Sequence, residues 1–372
     1  MKYQRKLRIG VIFGGRSSEH EVSRMSARSV LDALDPEKYE ITQIGITHSG
    51  TWLVGEKVLD AFESGDTHHL TPVTVLPDPT RHGLYSIRIV QGEEILQHFA
   101  DIDIFFPVLH GSFGEDGTLQ GLFEMSGAAY VGAGVLGSAV GMDKGVFKDV
   151  MRANGIPVVE SEVLLRRDTQ QLSESLLDRL EMIAPYPLFT KPANMGSSVG
   201  VTKCQGRGDL YEGLMEAGRY DRRILVERGI NAREIEISVL GNDDPTASIP
   251  GEIIPAADFY SYEAKYHNEN SELIIPADIP AKTAEEMREV AVKAYKAIDC
   301  AGMARADFMI DKDSGEFYIN EVNTIPGFTQ ISMYPKLWET GGLTYSILLD
   351  KLIGFALERR TDRDQTEWRY QP

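Results

Sequence analysis

The sequence predicts an α/β protein with a partly parallel sheet and more than one domain. Two apolar runs, Leu7-Arg-Ile-Gly-Val-Ile-Phe13 and Ile102-Asp-Ile-Phe-Phe-Pro-Val-Leu109, each end in a glycine loop and lead into a helical stretch. Strand, glycine loop and helix form the unit of a parallel sheet, and ligands bind where such strands end. The length, 372 residues, exceeds what one core supports, so two or three domains are expected.

The first strand runs into Gly14-Gly15 and then a helix over residues 25–34. Ser18 followed by Glu21 fits a capping box, which would leave Glu19 in the first turn beside the loop. Residues 55–98 are less regular and read as an insertion. The second strand leads through His110-Gly-Ser-Phe-Gly-Glu-Asp-Gly117 into another helix. A second block begins near Gly137, with a helix over 143–154, a polar helix and a strand over 186–191. The loop Asn194-Met-Gly-Ser-Ser-Val-Gly200 and a short strand over 223–227 complete it. A third block from Gly229 holds an amphipathic helix over 284–298, a hairpin, and a closing helix over 345–357.

The hairpin carries the most specific chemistry. In Phe317-Tyr-Ile-Asn-Glu-Val-Asn-Thr-Ile-Pro-Gly-Phe328, Glu321 and Asn323 share one face of a strand. A buried carboxylate beside a carboxamide needs a partner, and hard cations such as Mg²⁺ take such oxygens. The preceding strand, Met303-Ala-Arg-Ala-Asp-Phe-Met-Ile310, places Arg305 and Asp307 on one face. A turn centred on Ser314 would set Asp307 opposite Glu321 and Arg305 opposite Asn323, close enough to share an ion. The alternative is a structural cluster in which Arg305 pairs with Glu321.

Composition narrows the class. A net charge of −18 argues against nucleic acid or an anionic membrane as partner, since both need a basic footprint. No apolar run reaches membrane-spanning length and the amino terminus lacks a signal-peptide core, so the cytoplasm is the expected location. Cys204 and Cys300, the only cysteines, show neither metal spacing nor a disulfide framework.

Other residues gain meaning only together. Gly196-Ser-Ser-Val-Gly200, five residues after Lys191, offers backbone and hydroxyl donors to phosphate, or is a plain turn. Lys144 alone is an ordinary helix lysine. Lys265, in Tyr262-Glu-Ala-Lys-Tyr266, has the setting of a loop that folds over a site. His110 is either a ligand contact or a satisfied histidine at the core edge. Gly132-Ala-Gly134-Val-Leu-Gly137, with Glu160 beyond it, matches a dinucleotide fingerprint and raises a nicotinamide-dependent oxidoreductase as a second class. Its glycines follow a complete α/β unit, and the Pro157 segment makes a poor second strand for that motif.

Taken together, the segments resemble the D-alanine–D-alanine ligases of the ATP-grasp superfamily, from about residue 7 to about residue 357. The motifs stand in family order: Gly14-Gly-Arg-Ser-Ser-Glu-His-Glu-Val-Ser23, His110-Gly with Gly114-Glu-Asp-Gly-Thr-Leu-Gln-Gly121, and Met142-Asp-Lys144. Lys191-Pro with the glycine-serine loop, Tyr262–Tyr266, Arg305-Ala-Asp307 and Asn320-Glu-Val-Asn-Thr-Ile-Pro-Gly327 follow.

The resemblance implies an N-terminal parallel α/β domain (1–136), a small central α+β domain (137–228) and a C-terminal α+β domain (229–372), with nucleotide between the last two. It implies ATP-dependent joining of two D-alanines through a D-alanyl phosphate, for peptidoglycan precursors. Asp307, Glu321 and Asn323 match ligands of two Mg²⁺ ions, with Glu321 bridging and Mn²⁺ able to substitute. Lys144, Lys191 and Lys265 match phosphate-holding lysines, covered by the loop that contains Ser197 and Ser198. Glu227, Arg228, Ile230 and Glu234 fall at the adenine and ribose site. Glu19 matches the acid that holds the first D-alanine's ammonium, near His110, and forms a bonded set with Ser197 and Tyr266. Arg305 and the Gly327 amide match oxyanion stabilisers, and Ser332 with Met333 falls at the second carboxylate. Tyr266, where ligases for hydroxy acids often carry histidine, implies D-alanine rather than D-lactate as acceptor; a D-serine acceptor is the other family alternative. A homodimer is implied by resemblance alone.

Overall fold

The computed structural model describes residues 5–169, 173–254 and 272–369, arranged around three sheets. The first has eight strands, and its parallel half is the one the sequence predicts. Leu7–Gly14 pairs in parallel with Tyr39–Ile46 on one side and Ile104–Pro107 on the other. Ile9, Val11, Ile12 and Phe13 are all fully buried, because both faces of this central strand are covered, which is why it reads as a continuous apolar run.

The insertion is more regular than its sequence suggests. It contributes a helix, Val58–Ser64, and three antiparallel strands that, following Trp52–Val54 just before it, extend the same sheet outward from Tyr39–Ile46. The outermost strand, Glu93–Ala100, is exposed along nearly its whole length. With both faces open there is no alternation of apolar and polar residues to reveal it.

The second sheet is antiparallel, in the order Thr202–Cys204, Leu188–Pro192, Arg223–Arg228, Ser161–Leu165. The third is built on Ala232–Gly241, which pairs along its full length with Gly302–Asp311, itself paired with Phe317–Asn323. Strand alternation sorts its faces. Ile235, Ile237, Val239, Ala304, Ala306 and Phe308 form one core with the helix Ala281–Ala297. Glu234, Glu236, Arg305 and Asp307 are thereby left on the opposite face.

The closing helix, Tyr345–Arg363, packs back onto the first sheet. Its Leu348, Leu349, Leu352 and Ile353 share a core with Ile9, Val11, Ile104 and Phe106. Asp350 adds a polar clamp, accepting from Lys38 Nζ and Tyr39 Oη at 2.6 Å each. Among the described residues, no helix is long and apolar enough to cross a membrane.

Candidate functional site

The hairpin brings the predicted pairs together: Asp307 lies opposite Glu321 and Arg305 opposite Asn323. The route differs from a simple turn centred on Ser314. Beyond the site Phe308 pairs with Ile319 and Ile310 with Phe317, and a bulge between Asp307 and Phe308 restores the register. Bulges commonly re-aim side chains beside active sites. Arg305 does not pair with Glu321. Its Nε and second guanidinium nitrogen each donate to Asp307 at 2.7 Å, and Nε lies 3.0 Å from Glu236. Burial opposes the guanidinium charge, but Asp307 and Glu236 more than compensate and hold its pKa above the ordinary arginine value. Asn323 Nδ2 donates to Asp307 at 2.8 Å, and Lys144 Nζ lies 3.3 Å from Glu321.

Loops at the ends of the parallel strands close the other side of the cleft. Its walls include Glu19, His110 and Glu115 from the first sheet, Lys144 and Ser197 from the central region, and Arg305, Glu321, Asn323 and Gly327 from the third. The Ser18 capping box does not form. Glu19 is itself the N-cap of the helix His20–Ala33 and makes no capping bond, because its carboxylate accepts from Ser197 Oγ at 2.5 Å. Glycine permits that approach: a Cβ on Gly111 or Gly196 would lie 2.5 or 2.6 Å from Glu19 Oε2. Ser197 and Ser198 both hold left-handed backbone, at φ 51° and 58°, a strain of about 1–3 kcal/mol each of the kind that collects at functional loops.

His110 is fully engaged. Its Nδ1 meets the Ile325 carbonyl at 3.0 Å and its Nε2 meets Ser26 Oγ at 2.9 Å. A carbonyl can only accept, so Nδ1 carries the proton and Ser26 donates to Nε2. Burial lowers the His110 pKa and keeps the ring neutral. His110 therefore pins the Ile325–Gly327 loop rather than offering a free ring nitrogen. Glu115, not singled out from sequence, does the same. It accepts from Gly111 N–H at 2.8 Å and Ile325 N–H at 3.0 Å. Burial and the neighbouring Glu19 push its pKa up to about 8 against those two bonds.

The nucleotide-side residues lie on the second sheet and the adjoining helix. Asp143 caps the helix Lys144–Ala153 by accepting from Gly145 and Val146 N–H, which fixes Lys144 at the cleft, its Nζ 2.9 Å from the Met195 carbonyl. Lys191 pairs with Glu227, which also meets Lys148 at 3.0 Å. Burial would raise Glu227, but the two lysines bring it down to about 2. Arg228 pairs with Glu160 at 2.8 Å and lies over the Tyr318 ring. Ile230 is in the link to Ala232–Gly241, on which Glu234 shares a face with Glu236. Ser332 Oγ accepts from Thr329 N–H at 3.1 Å beside Gly327, and Met333 is buried against Ile253 and Leu337. Lys265 and Tyr266 lie outside the described residues.

The donor set fits a hard divalent cation. Asp307 and Glu321 face each other on adjacent strands, Asn323 adds an amide, and Glu236 stands one strand further along the same row. Arg305 and Lys144 offset only part of this acidity, and oxygen-rich sites of this kind suit Mg²⁺ with substrate phosphates. Another cluster, His20, Glu21 and His48, suits a metal less well. Its imidazoles stack at 3.8 Å and 22°, and His20 Nδ1 is taken up by the Gly15 carbonyl.

The chain matches the models "D-ala D-ala ligase N-terminus" over residues 8–133 and "D-ala D-ala ligase C-terminus" over residues 150–354. It is 48% identical to a D-alanine–D-alanine ligase of Heliobacterium modesticaldum, covering 97% of this chain and 98% of that one. A Ruminiclostridium cellulolyticum ligase of the same name is 49% identical, covering 96% and 97%. Among solved structures, a Coxiella burnetii D-alanine–D-alanine ligase superposes with a TM-score of 0.82 at 37% identity, covering 97% of each chain. A D-Ala:D-Ser ligase of Enterococcus faecalis gives 0.82 at 38%, covering 95% of this chain and all of that one. Fold and site thus define an enzyme of the three-domain ATP-grasp architecture, a carboxylate–amine ligase. The chain belongs to the D-alanine–D-alanine ligase family. The dinucleotide reading falls with this: Glu160 is held by Arg228, Gly132 and Gly134 lead into the helix Val135–Met142, and Gly137 is buried within it.

Proposed function

We infer that this chain joins two D-alanines to D-alanyl-D-alanine at the expense of ATP, supplying peptidoglycan precursors. The observation that carries the reading is one cleft that brings together a substrate-type acid, a phosphate-type lysine and a buried arginine beside paired carboxylates. An amide cannot form until a carboxylate oxygen becomes a leaving group. The first D-alanine's carboxylate attacks the γ-phosphorus of ATP, ADP leaves, and a D-alanyl phosphate remains. The second D-alanine's amine attacks that carbonyl, and collapse of the tetrahedral adduct expels phosphate.

Each residue has a share in this. Glu19, aligned by Ser197, holds the first substrate's ammonium, with Tyr266 completing the set and His110 fixing the wall behind it. Lys144, Lys191 and Lys265 hold the phosphates under the loop of Ser197 and Ser198. Glu227, Arg228, Ile230 and Glu234 take adenine and ribose. Arg305 and the Gly327 N–H stabilise the oxyanion, while Ser332 and Met333 receive the second carboxylate. Asp307, Glu321 and Asn323 would hold two Mg²⁺ ions, with Mn²⁺ as a substitute. Bound there, the metal would neutralise charge on the transferring phosphoryl group. The three domains divide at about residues 136 and 228, and the enzyme acts in the cytoplasm as a homodimer.

The acceptor is D-alanine; D-lactate and D-serine are the competing choices. Phosphate release from ATP with D-alanine as donor, run with each acceptor at neutral pH and the product identified by mass, tests this. D-Alanyl-D-alanine is the expected main product, and faster turnover to a depsipeptide or a D-serine product would overturn the assignment.

A further inference from the structure

Lys148 takes no part in the assignments above. It lies one turn after Lys144 on the helix Lys144–Ala153, and i,i+4 spacing directs both toward the nucleotide side. Their environments differ. The Lys144 side chain is 15% exposed and that of Lys148 only 1%, and lysine is almost never so buried unless paired.

The partner is Glu227. Lys191 and Glu227 share a face of the central sheet, since Lys191 pairs with Leu225 and Phe189 with Glu227. One Glu227 oxygen meets the partly exposed Lys191, and the other meets Lys148 from within at 3.0 Å. Among the described residues, neither Lys148 Nζ nor that second oxygen has a hydrogen-bond partner. The contact is a buried ion pair. Burial lowers the Lys148 pKa and Glu227 opposes that fall; with both lysines protonated, two cations on one carboxylate give the trio a net charge of +1.

Resting on the ATP reading, we propose that Lys148 is a positioning residue of the nucleotide site that neutralises Glu227 from inside and so leaves the charge of Lys191 to the phosphates. Without Lys148, Glu227 and Lys191 close into a neutral pair. Phosphate could then recruit Lys191 only by stripping a buried carboxylate of its last cation, which is strongly unfavourable. With Lys148 in place, Glu227 keeps a partner whichever way Lys191 turns.

The test is the ratio of ADP to adenosine affinity, measured calorimetrically on the full chain at fixed salt and Mg²⁺, so that effects on the adenine pocket cancel. Lys148→Met takes the trio to zero and should lower the ratio by roughly tenfold or more, the equivalent of one charge interaction. Lys148→Met with Glu227→Gln restores +1 without a stranded buried charge and should return the ratio to the wild-type value. This double variant keeps the test decisive if the single one folds poorly. An unchanged ratio in Lys148→Met, or no recovery in the double variant, overturns the proposal while the nucleotide site stands. Wild-type protein that binds neither ligand would remove the ATP reading itself, and the proposal with it.

Discussion

Replacing Glu115 by glutamine separates two forces that meet on one buried carboxyl. Both of its oxygens accept backbone N–H groups, from Gly111 and Ile325, which favours the ionised form. Burial and the charge of Glu19 favour the acid and prevail, raising the pKa from 4.5 to about 8. In the unfolded chain the group titrates at its ordinary value. Between those two pH values the folded protein therefore holds a proton that the unfolded chain has lost. The associated stability is fully present below the ordinary value and is lost as pH rises through about 8. The whole span corresponds to on the order of 4–5 kcal/mol.

Glutamine cannot titrate. It also sets an amide N–H against one backbone N–H, but that penalty does not change with pH. The readout is therefore the difference in unfolding free energy between wild type and Glu115→Gln, followed from about pH 5 to about pH 9 by denaturant titration. Wild type should lose stability relative to the variant as pH rises, most steeply by roughly 1.4 kcal/mol per pH unit. A difference that stays flat would show that the two N–H bonds outweigh burial and that Glu115 is ionised throughout.

Three further outcomes follow from the site. Glu321→Gln should cut D-alanine-dependent ADP release by ~10²-fold or more, as for loss of a preorganised electrostatic group, with the fold intact by circular dichroism. Ser197→Ala removes the bond to Glu19. It should lower kcat/KM for D-alanine by roughly 10–100-fold, the range for a hydrogen bond to a charged group, with a smaller change in the KM for ATP. Arg305→Met strips Asp307 and Glu236 of a shared buried cation, so denaturant unfolding should show a loss of about 3–5 kcal/mol along with activity.

Much of the site was legible because its chemistry is local. Glu321 and Asn323 two apart on a strand, and Arg305 and Asp307 two apart on the next, declare a shared face before any register is known. The register at the site matched the sequence expectation only because a bulge compensates for a turn placed differently, and no residue pattern announces that bulge. Contacts between distant segments were not legible. Glu236 reaches Arg305 across a strand pair far apart in sequence, and Glu115 meets Ile325 between sheets. Lys148 could have been noticed as the i+4 neighbour of Lys144, but its burial depends on a sheet formed by later residues. Fold class followed from two buried strands with covered faces, whereas the strand Glu93–Ala100 hid among irregular sequence because it is exposed along nearly its whole length.

A D-alanine carboxylate that becomes an acyl phosphate in this cleft before a second D-alanine attacks must surrender one of its oxygens to phosphate. D-Alanine labelled with ¹⁸O in its carboxylate, turned over with unlabelled ATP, tests this through the mass of the released phosphate. One ¹⁸O atom should pass from D-alanine into each phosphate formed. Phosphate without label, released while the dipeptide forms, would contradict the acyl phosphate and the roles assigned around it.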